Sequence, residues 1–113
     1  MDIISFGKIV VPTPGTPVPL TADATIKVHA IVVGQIPGST GITYFGLQNG
    51  INPTFSKTTG AGVLKSFLPP GASGFTDEHK IDSDDRGNVL VAADYRVDAN
   101  TANDGLYAYG IRI

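Results

Sequence analysis

The segment from Thr25 to Leu47 holds two short runs of alternating residues separated by turn-forming residues. In the first run, every second residue is apolar and would lie on one face of a β-strand: Ile26, Val28, Ala30 and Val32. The opposite face begins with Lys27 and His29 and becomes apolar at positions 31 and 33. The first run is therefore predicted to be a strand that passes from an exposed rim into a covered interior.

The link between the two runs, residues 34–41 (GQIPGSTG), is rich in residues that allow positive φ, fix φ or form side-chain turns. After this link, Ile42 and Tyr44 alternate with Thr43 and Phe45. We therefore predict a long β-hairpin over residues 25–47.

The rest of the chain repeats this pattern of short strands and turns. Its 113 residues include 14 glycines and eight prolines, well above the usual combined share of about 12%, and no stretch shows sustained helical periodicity. We predict an all-β fold, a single β-sandwich or small barrel of about seven to eight antiparallel strands. In this prediction residues 12–113 form the sandwich domain, and residues 1–11 form an N-terminal strand or arm.

The positions of the other strands follow from the same signals. Strands are predicted at residues 63–68, 79–81, 88–95 and 106–113. Residues 97–105 have the composition of a long turn that ends in an Asp-Gly pair. Residues 12–20 contain four prolines, which cannot donate to a ladder, so this segment is predicted to be an edge strand at best or an extended connector.

Charge and hydropathy restrict the partners of the chain. The net charge is −2 and no basic stripe is present, which argues against nucleic acid as a partner. No apolar run approaches 18 residues, and the N-terminus lacks a secretion pattern, so we expect a soluble protein without a membrane partner. Charged residues make up 16%, against about 25% in typical domains, and such a neutral surface suits contact with other proteins.

One polar segment partly matches a calcium-binding loop. Asp82, Asp84 and Gly87 occupy the first, third and sixth positions of that pattern. Arg86 stands at the fifth position, where a ligand belongs, and Ala93 replaces the glutamate expected at the twelfth. The chain has no cysteine for a thiolate site. We therefore predict a solvated polar loop, with no metal and no cofactor.

The sequence does not predict an enzyme. His79 follows Asp77 and Glu78, an arrangement that resembles an acid–base site, but the only other histidine is His29, about fifty residues away. Residues 71–74 lack the spacing of a serine nucleophile elbow. We expect a non-enzymatic protein.

Five aromatic residues suggest a carbohydrate-binding function, since aromatic rings can stack on sugars. They are Tyr44, Phe45, Tyr95, Tyr107 and Tyr109. At β spacing, however, aromatic side chains are more often core residues or cross-strand partners, and the chain has no tryptophan. A carbohydrate- or receptor-binding sandwich therefore stays open as one function of the chain, although core packing explains the rings better.

Several motifs follow one another in a recognisable order. They are residues 16–21 (TPVPLT), 36–46 (IPGSTGITYFG), 68–73 (LPPGAS) and 89–94 (VLVAAD), followed by an Asp-Gly turn into a tyrosine-rich last strand. This order is similar to that of small all-β virion proteins of tailed bacteriophages, particularly capsid decoration (cement) proteins. It extends over most of the chain from about residue 8.

This resemblance implies a structural protein, made in the bacterial cytoplasm, that binds the major capsid protein on the virion surface and stabilises the shell. It also implies a homo-oligomer, with a trimer favoured, although related sandwiches occur in phage tails and necks. Residues 1–11 would be the capsid-contacting segment, acting by strand addition. Its apolar candidates for partner contact are Ile3, Phe6, Ile9, Val10 and Val11.

Overall fold

The computed structural model describes residues 2–48, 55–69, 77–82 and 89–112. These residues form ten β-strands and one short 3-10 turn, Ala92–Asp94. The strands are β1 (Asp2–Val10), β2 (Val18–Pro19), β3 (Lys27–Val28), β4 (Ala30–Gln35), β5 (Thr43–Leu47), β6 (Val63–Phe67), β7 (Glu78–Asp82), β8 (Leu90–Val91), β9 (Tyr95–Ala99) and β10 (Gly105–Arg112). The predicted all-β fold is confirmed.

The strands form three antiparallel sheets. Sheet 1 has the order β1-β10-β4-β7, sheet 2 has the order β2-β9-β5-β6, and sheet 3 pairs β3 with β8. The inner faces of sheets 1 and 2 share one hydrophobic core, to which Ile31, Val33 and Leu106 contribute from sheet 1 and Phe45, Phe67 and Val97 from sheet 2. This arrangement is a β-sandwich, as the turn spacing predicted.

The predicted hairpin over residues 25–47 is wrong in its pairing. Its two limbs are strands, but β4 pairs with β10 and β7 in sheet 1, whereas β5 pairs with β6 and β9 in sheet 2. Residues 36–42 therefore cross from one sheet to the other. The first limb is also interrupted at His29, whose N–H donates to the Ile111 carbonyl at 2.7 Å. The expectation of a covered interior is correct, because all six residues of β4 are buried.

The predicted strand over residues 88–95 and the long turn after it also need correction. β8 contains only Leu90 and Val91, and the turn Ala92–Asp94 then carries the chain from sheet 3 into sheet 2. β9 extends to Ala99, so Val97, Asp98 and Ala99 are buried strand residues and not part of a turn. Local alternation does not reveal a change of sheet, because the residues on both sides of the turn are apolar.

The proline-rich segment and β1 each form an edge. Among the described strands, β2 pairs with β9 alone, as expected for a short strand that contains proline. β1 pairs along its length with β10, and a bulge between Ser5 and Gly7 interrupts the register. Gly7 adopts a positive φ of 71°, and its N–H donates to Ser5 Oγ at 3.1 Å. The bulge shifts the alternation, so Ile4, Phe6 and Ile9 all pack against the core.

Candidate docking surfaces

The five predicted contact residues of the N-terminal segment differ in accessibility. Ile3 is 66% exposed and Val10 is 40% exposed. Phe6 is partly buried against the core, and Ile9 and Val11 belong to the core itself. Only Ile3 and Val10 therefore present an exposed apolar side chain to a partner. Their strand forms the first docking surface, the β1 edge, whose outer side pairs with no strand among the described residues.

A second surface is the outer face of sheet 1, which turns away from the core. Because directly paired residues lie on the same face of a sheet, the registers define three rows across β1, β10, β4 and β7. The rows are Ile3–Ile111–Ala30–Asp82, Ser5–Tyr109–Val32–Lys80 and Lys8–Tyr107–Gly34–Glu78. These twelve residues are called the sheet 1 outer face. Its centre is apolar and aromatic, and its charges lie on the two edge strands.

Two tyrosines shape the centre of this face. Tyr107 and Tyr109 are each partly exposed. The Tyr107 ring lies over Gly34, where an added Cβ would overlap the end of the ring, so a side chain at this position would displace Tyr107. Partial burial, a hydrogen bond with Glu78 and the charge of that carboxylate raise the pKa of Tyr107 above 10.0.

The charges at the two edges differ in their partners. Lys80 Nζ and Asp82 Oδ1 form an exposed ion pair at 3.3 Å within β7. Neither Lys8 nor Glu78 forms an ion pair with any residue in the described part of the chain. Side-chain hydrogen bonds and ion pairs of the sheet 1 outer face among the described residues stay within its own strands.

The outer face of sheet 2 is covered by the chain itself. Phe55 is buried over Gly46, where an added Cβ would overlap the Phe55 ring. The Gly15 N–H donates to Asp98 Oδ1 at 3.0 Å, which ties the proline-rich segment to β9. Lys57 Nζ donates to the Ala99 carbonyl at 2.6 Å. Two segments that are far apart in sequence, the proline-rich segment and residues 55–57, thus pack on this face.

The aromatic residues considered for sugar stacking do not lie together. Phe45 and Tyr95 are buried and stacked on each other, with ring centroids 5.7 Å apart. Tyr44 lies on sheet 2, where its hydroxyl accepts a hydrogen bond from Asn100 Nδ2 at 3.1 Å. Tyr107 and Tyr109 lie on the sheet 1 outer face. A single platform of all five rings is therefore excluded, and only the last two share a partly exposed surface.

The polar segment after β7 yields no site. Asp82 ends β7, and residues 83–88 of the predicted loop lie outside the described residues. No group of three His, Cys, Asp or Glu residues suited to a metal ion occurs within residues 2–48, 55–69, 77–82 and 89–112. In the same ranges, no helix is long and apolar enough to cross a membrane.

The sequence analysis missed a buried polar junction at one side of the sandwich. Gln35 at the end of β4 donates from Nε2 to the Leu68 carbonyl and accepts the Asp77 N–H on Oε1 at 2.8 Å. Its own N–H donates to the Asp77 carbonyl at 3.1 Å. Lys65 Nζ lies 3.5 Å from Asp77 Oδ2. Gln35 thus holds together the chain that leaves β6 and the chain that enters β7.

The sequence analysis did not predict that Tyr107, Tyr109 and Ile111 lie on an outer face of the sandwich, although their alternation in the last strand was visible.

Comparisons with protein-family models, curated proteins and solved structures find no match to this chain.

Proposed function

We propose that the chain is a non-enzymatic structural protein of a phage virion. In this role it binds the major capsid protein on the shell surface and acts as a decoration protein. The observation that carries the proposal is the β1 edge, a nine-residue strand with exposed Ile3 and Val10, whose outer side pairs with no other described strand. Such an edge can accept a strand from another protein.

The bulge restricts where a strand can be added. It divides β1 into Asp2–Ser5 and Gly7–Val10, and a continuous ladder with a partner strand is disturbed between them. Backbone hydrogen bonds along either part would supply affinity, while the exposed side chains of Ile3 and Val10 would supply specificity. We therefore place the capsid contact on short ladders that flank the bulge.

The proposed contact also explains how such a protein would stabilise a shell. A ligand that binds only the assembled state stabilises it by about 2.7 kcal/mol per site when its free concentration is about 100 times Kd. A sandwich whose outer strand is anchored by Ile9 and Val11 in the core presents a rigid edge, which lowers the entropy lost on binding.

The test uses particles of the phage that carries the gene. Purified full-length chain is mixed with shells that lack it, and bound protein is separated on a density gradient. We expect the wild-type chain to sediment with the shells and to raise the temperature at which they open. Ile3→Asp and Val10→Asp should each reduce binding about tenfold or more, because a carboxylate would be buried without a partner at the contact.

Leu64→Asp is the matched control, since Leu64 is 45% exposed and lies on β6 of the other sheet. It should bind like the wild type, and circular dichroism should show all three variants folded. Failure of the wild-type chain to bind shells, or its absence from purified virions, would overturn the proposal. If an antibody against the chain labels phage tails or necks and not heads, the protein would instead be a structural component of the tail or neck.

Carbohydrate or receptor binding is the second candidate. It is favoured by the adjacent, partly exposed Tyr107 and Tyr109 on the sheet 1 outer face. A glycan array with the wild-type chain and with Tyr109→Ala tests it. Glycan binding that Tyr109→Ala abolishes would favour this candidate, and the same array without binding would remove it.

A further inference from the structure

We infer that the sheet 1 outer face binds a second copy of this chain, face to face, around a two-fold axis that runs along the strand direction. This pairing goes beyond the proposed capsid contact and does not depend on it. Its ion pairs use Lys8 and Glu78, and it leaves open the outer backbone edge of β1, which pairs with no strand among the described residues. Of the two capsid-contact side chains, Ile3 lies on both surfaces and Val10 lies outside the three rows. The occupant is identified by the distribution of charge on the face.

Lys8 and Glu78 lie in the same row but on opposite edge strands, β1 and β7. Three inter-strand spacings separate them, about 14 Å, so they cannot pair within one chain. The other two charges of the face, Lys80 and Asp82, already pair with each other at 3.3 Å. One cation at one edge and one anion at the other thus remain without an ion-pair partner among the described residues.

A two-fold axis along the strands exchanges the two edges and keeps each row in place. It sets Lys8 of one copy opposite Glu78 of the second copy, and Glu78 opposite Lys8, so both ion pairs form at once. Sheets packed face to face lie about 10 Å apart, a gap that a lysine and a glutamate side chain can bridge together. An axis perpendicular to the strands would instead set Lys8 opposite Ile3 and would leave both charges unpaired.

The accessible side chains of the face lie mainly on β10. Tyr107, Tyr109 and Ile111 are partly exposed, whereas Ala30, Val32 and Gly34 of the neighbouring β4 column are already buried within one chain. Exchange of the two sides sets the β10 side chains of one copy over the covered β4 column of the other. Aromatic rings would then pack between the sheets, where they bury the most apolar area.

The area of the sheet 1 outer face sets the expected affinity between the two copies. Four strands and three rows give a flat area of about 300–400 Å² per copy, or about 600–800 Å² in total before side-chain relief is counted. Stable interfaces bury about 1,200 Å² or more, so the pair should be reversible and dependent on concentration. Its ion pairs should weaken as salt is added, because exposed charges are screened.

The experiment is sedimentation equilibrium of the full chain over a concentration series. The average mass should rise with concentration from 11.7 kDa toward twice that value. Lys8→Glu and Glu78→Lys should each weaken association about tenfold or more, since each sets like charges opposite one another. The double variant Lys8→Glu/Glu78→Lys should restore association to within about threefold of wild type.

Lys27→Glu is the matched control, because Lys27 is exposed on sheet 3 and away from the face, and it should leave association unchanged. A monomer at every concentration, a trimer, or a double variant no better than the single ones would overturn the inference. Shell binding by monomeric Lys8→Glu would show that the capsid contact stands without the pair. Val10→Asp should lose shell binding and still pair normally, since Val10 lies outside the three rows. That result would show that the pair forms without the capsid contact.

Discussion

The two outer faces of the sandwich are treated differently by the chain. The outer face of sheet 2 is held by Phe55, by the Gly15–Asp98 hydrogen bond and by Lys57. The sheet 1 outer face has an apolar and aromatic centre, and its side-chain hydrogen bonds and ion pairs among the described residues stay within its own strands. The covered face thus contributes to folding. On the other face the β4 residues are buried, and Tyr107, Tyr109 and Ile111 are partly exposed.

This difference predicts that matched substitutions on the two faces will have different effects. On sheet 2 a change must lower the free energy of unfolding, because the covering segment belongs to the same chain. On sheet 1 the same change should leave folding nearly intact and alter association instead.

The largest difference should come from removing one aromatic side chain on each face. Phe55→Ala should lower the free energy of unfolding by about 3–5 kcal/mol, because a buried ring is lost and its cavity cannot fully close. Tyr109→Ala should lower it by about 1 kcal/mol, the value of an exposed cross-strand pair. Urea unfolding followed by circular dichroism measures both. Equal losses would mean that the two faces are equally covered.

The next difference concerns two glycines that lie beneath aromatic rings. Gly46→Ala should cost about 2–3 kcal/mol, since the new methyl group would meet the buried Phe55 ring and the Gly62 carbonyl. Gly34→Ala meets the end of the Tyr107 side chain, which can swing toward solvent, so we expect a cost below about 1 kcal/mol. Thermal unfolding of both variants measures these two losses of stability. A larger loss for Gly34→Ala than for Gly46→Ala would show that the Tyr107 ring is fixed in place.

The smallest difference between the two regions should appear in the stability of the protein at alkaline pH. Burial raises the pKa of Tyr95 above 10.0, with a smaller contribution from the charge of Asp94. The pKa of Tyr107 is also raised, first by partial burial and then by the hydrogen bond and charge of Glu78. Folding therefore favours the protonated phenols. The stabilisation is fully present below the unfolded pKa of about 10 and is lost as pH rises through the folded values.

Urea unfolding of wild type at about pH 8, 10 and 11 should therefore show a falling free energy of unfolding. Relative to wild type, Tyr95→Phe should reduce this fall more than Tyr107→Phe, because Tyr95 lies in the core. The two variants keep every other side chain of the wild type, so the comparison isolates the two tyrosines. A larger effect of Tyr107→Phe would contradict the assignment of Tyr107 to the more open face.

Much of the local structure was predictable from the sequence. The alternation at residues 63–68 and 106–113 correctly identified β6 and β10, and the prolines correctly marked β2 as an edge. Strand periodicity repeats every two residues, so a few neighbouring side chains are enough to reveal it. The candidate surface was only partly predictable: Ile3 and Val10 are exposed, whereas Ile9 and Val11 look equally apolar in the sequence but lie in the core.

Alternation and turn residues thus predicted most of the strand positions and the all-β fold, but not the break between β8 and β9. The tertiary structure was needed to show which strands pair, because β4 and β5 follow one another yet have their partners in different sheets. It also decided the role of Asp104, whose carboxylate accepts the Gly41 N–H at 2.8 Å from a loop 63 residues away. Pairing and burial depend on contacts between segments distant in sequence, and alternation within one segment carries no information about them.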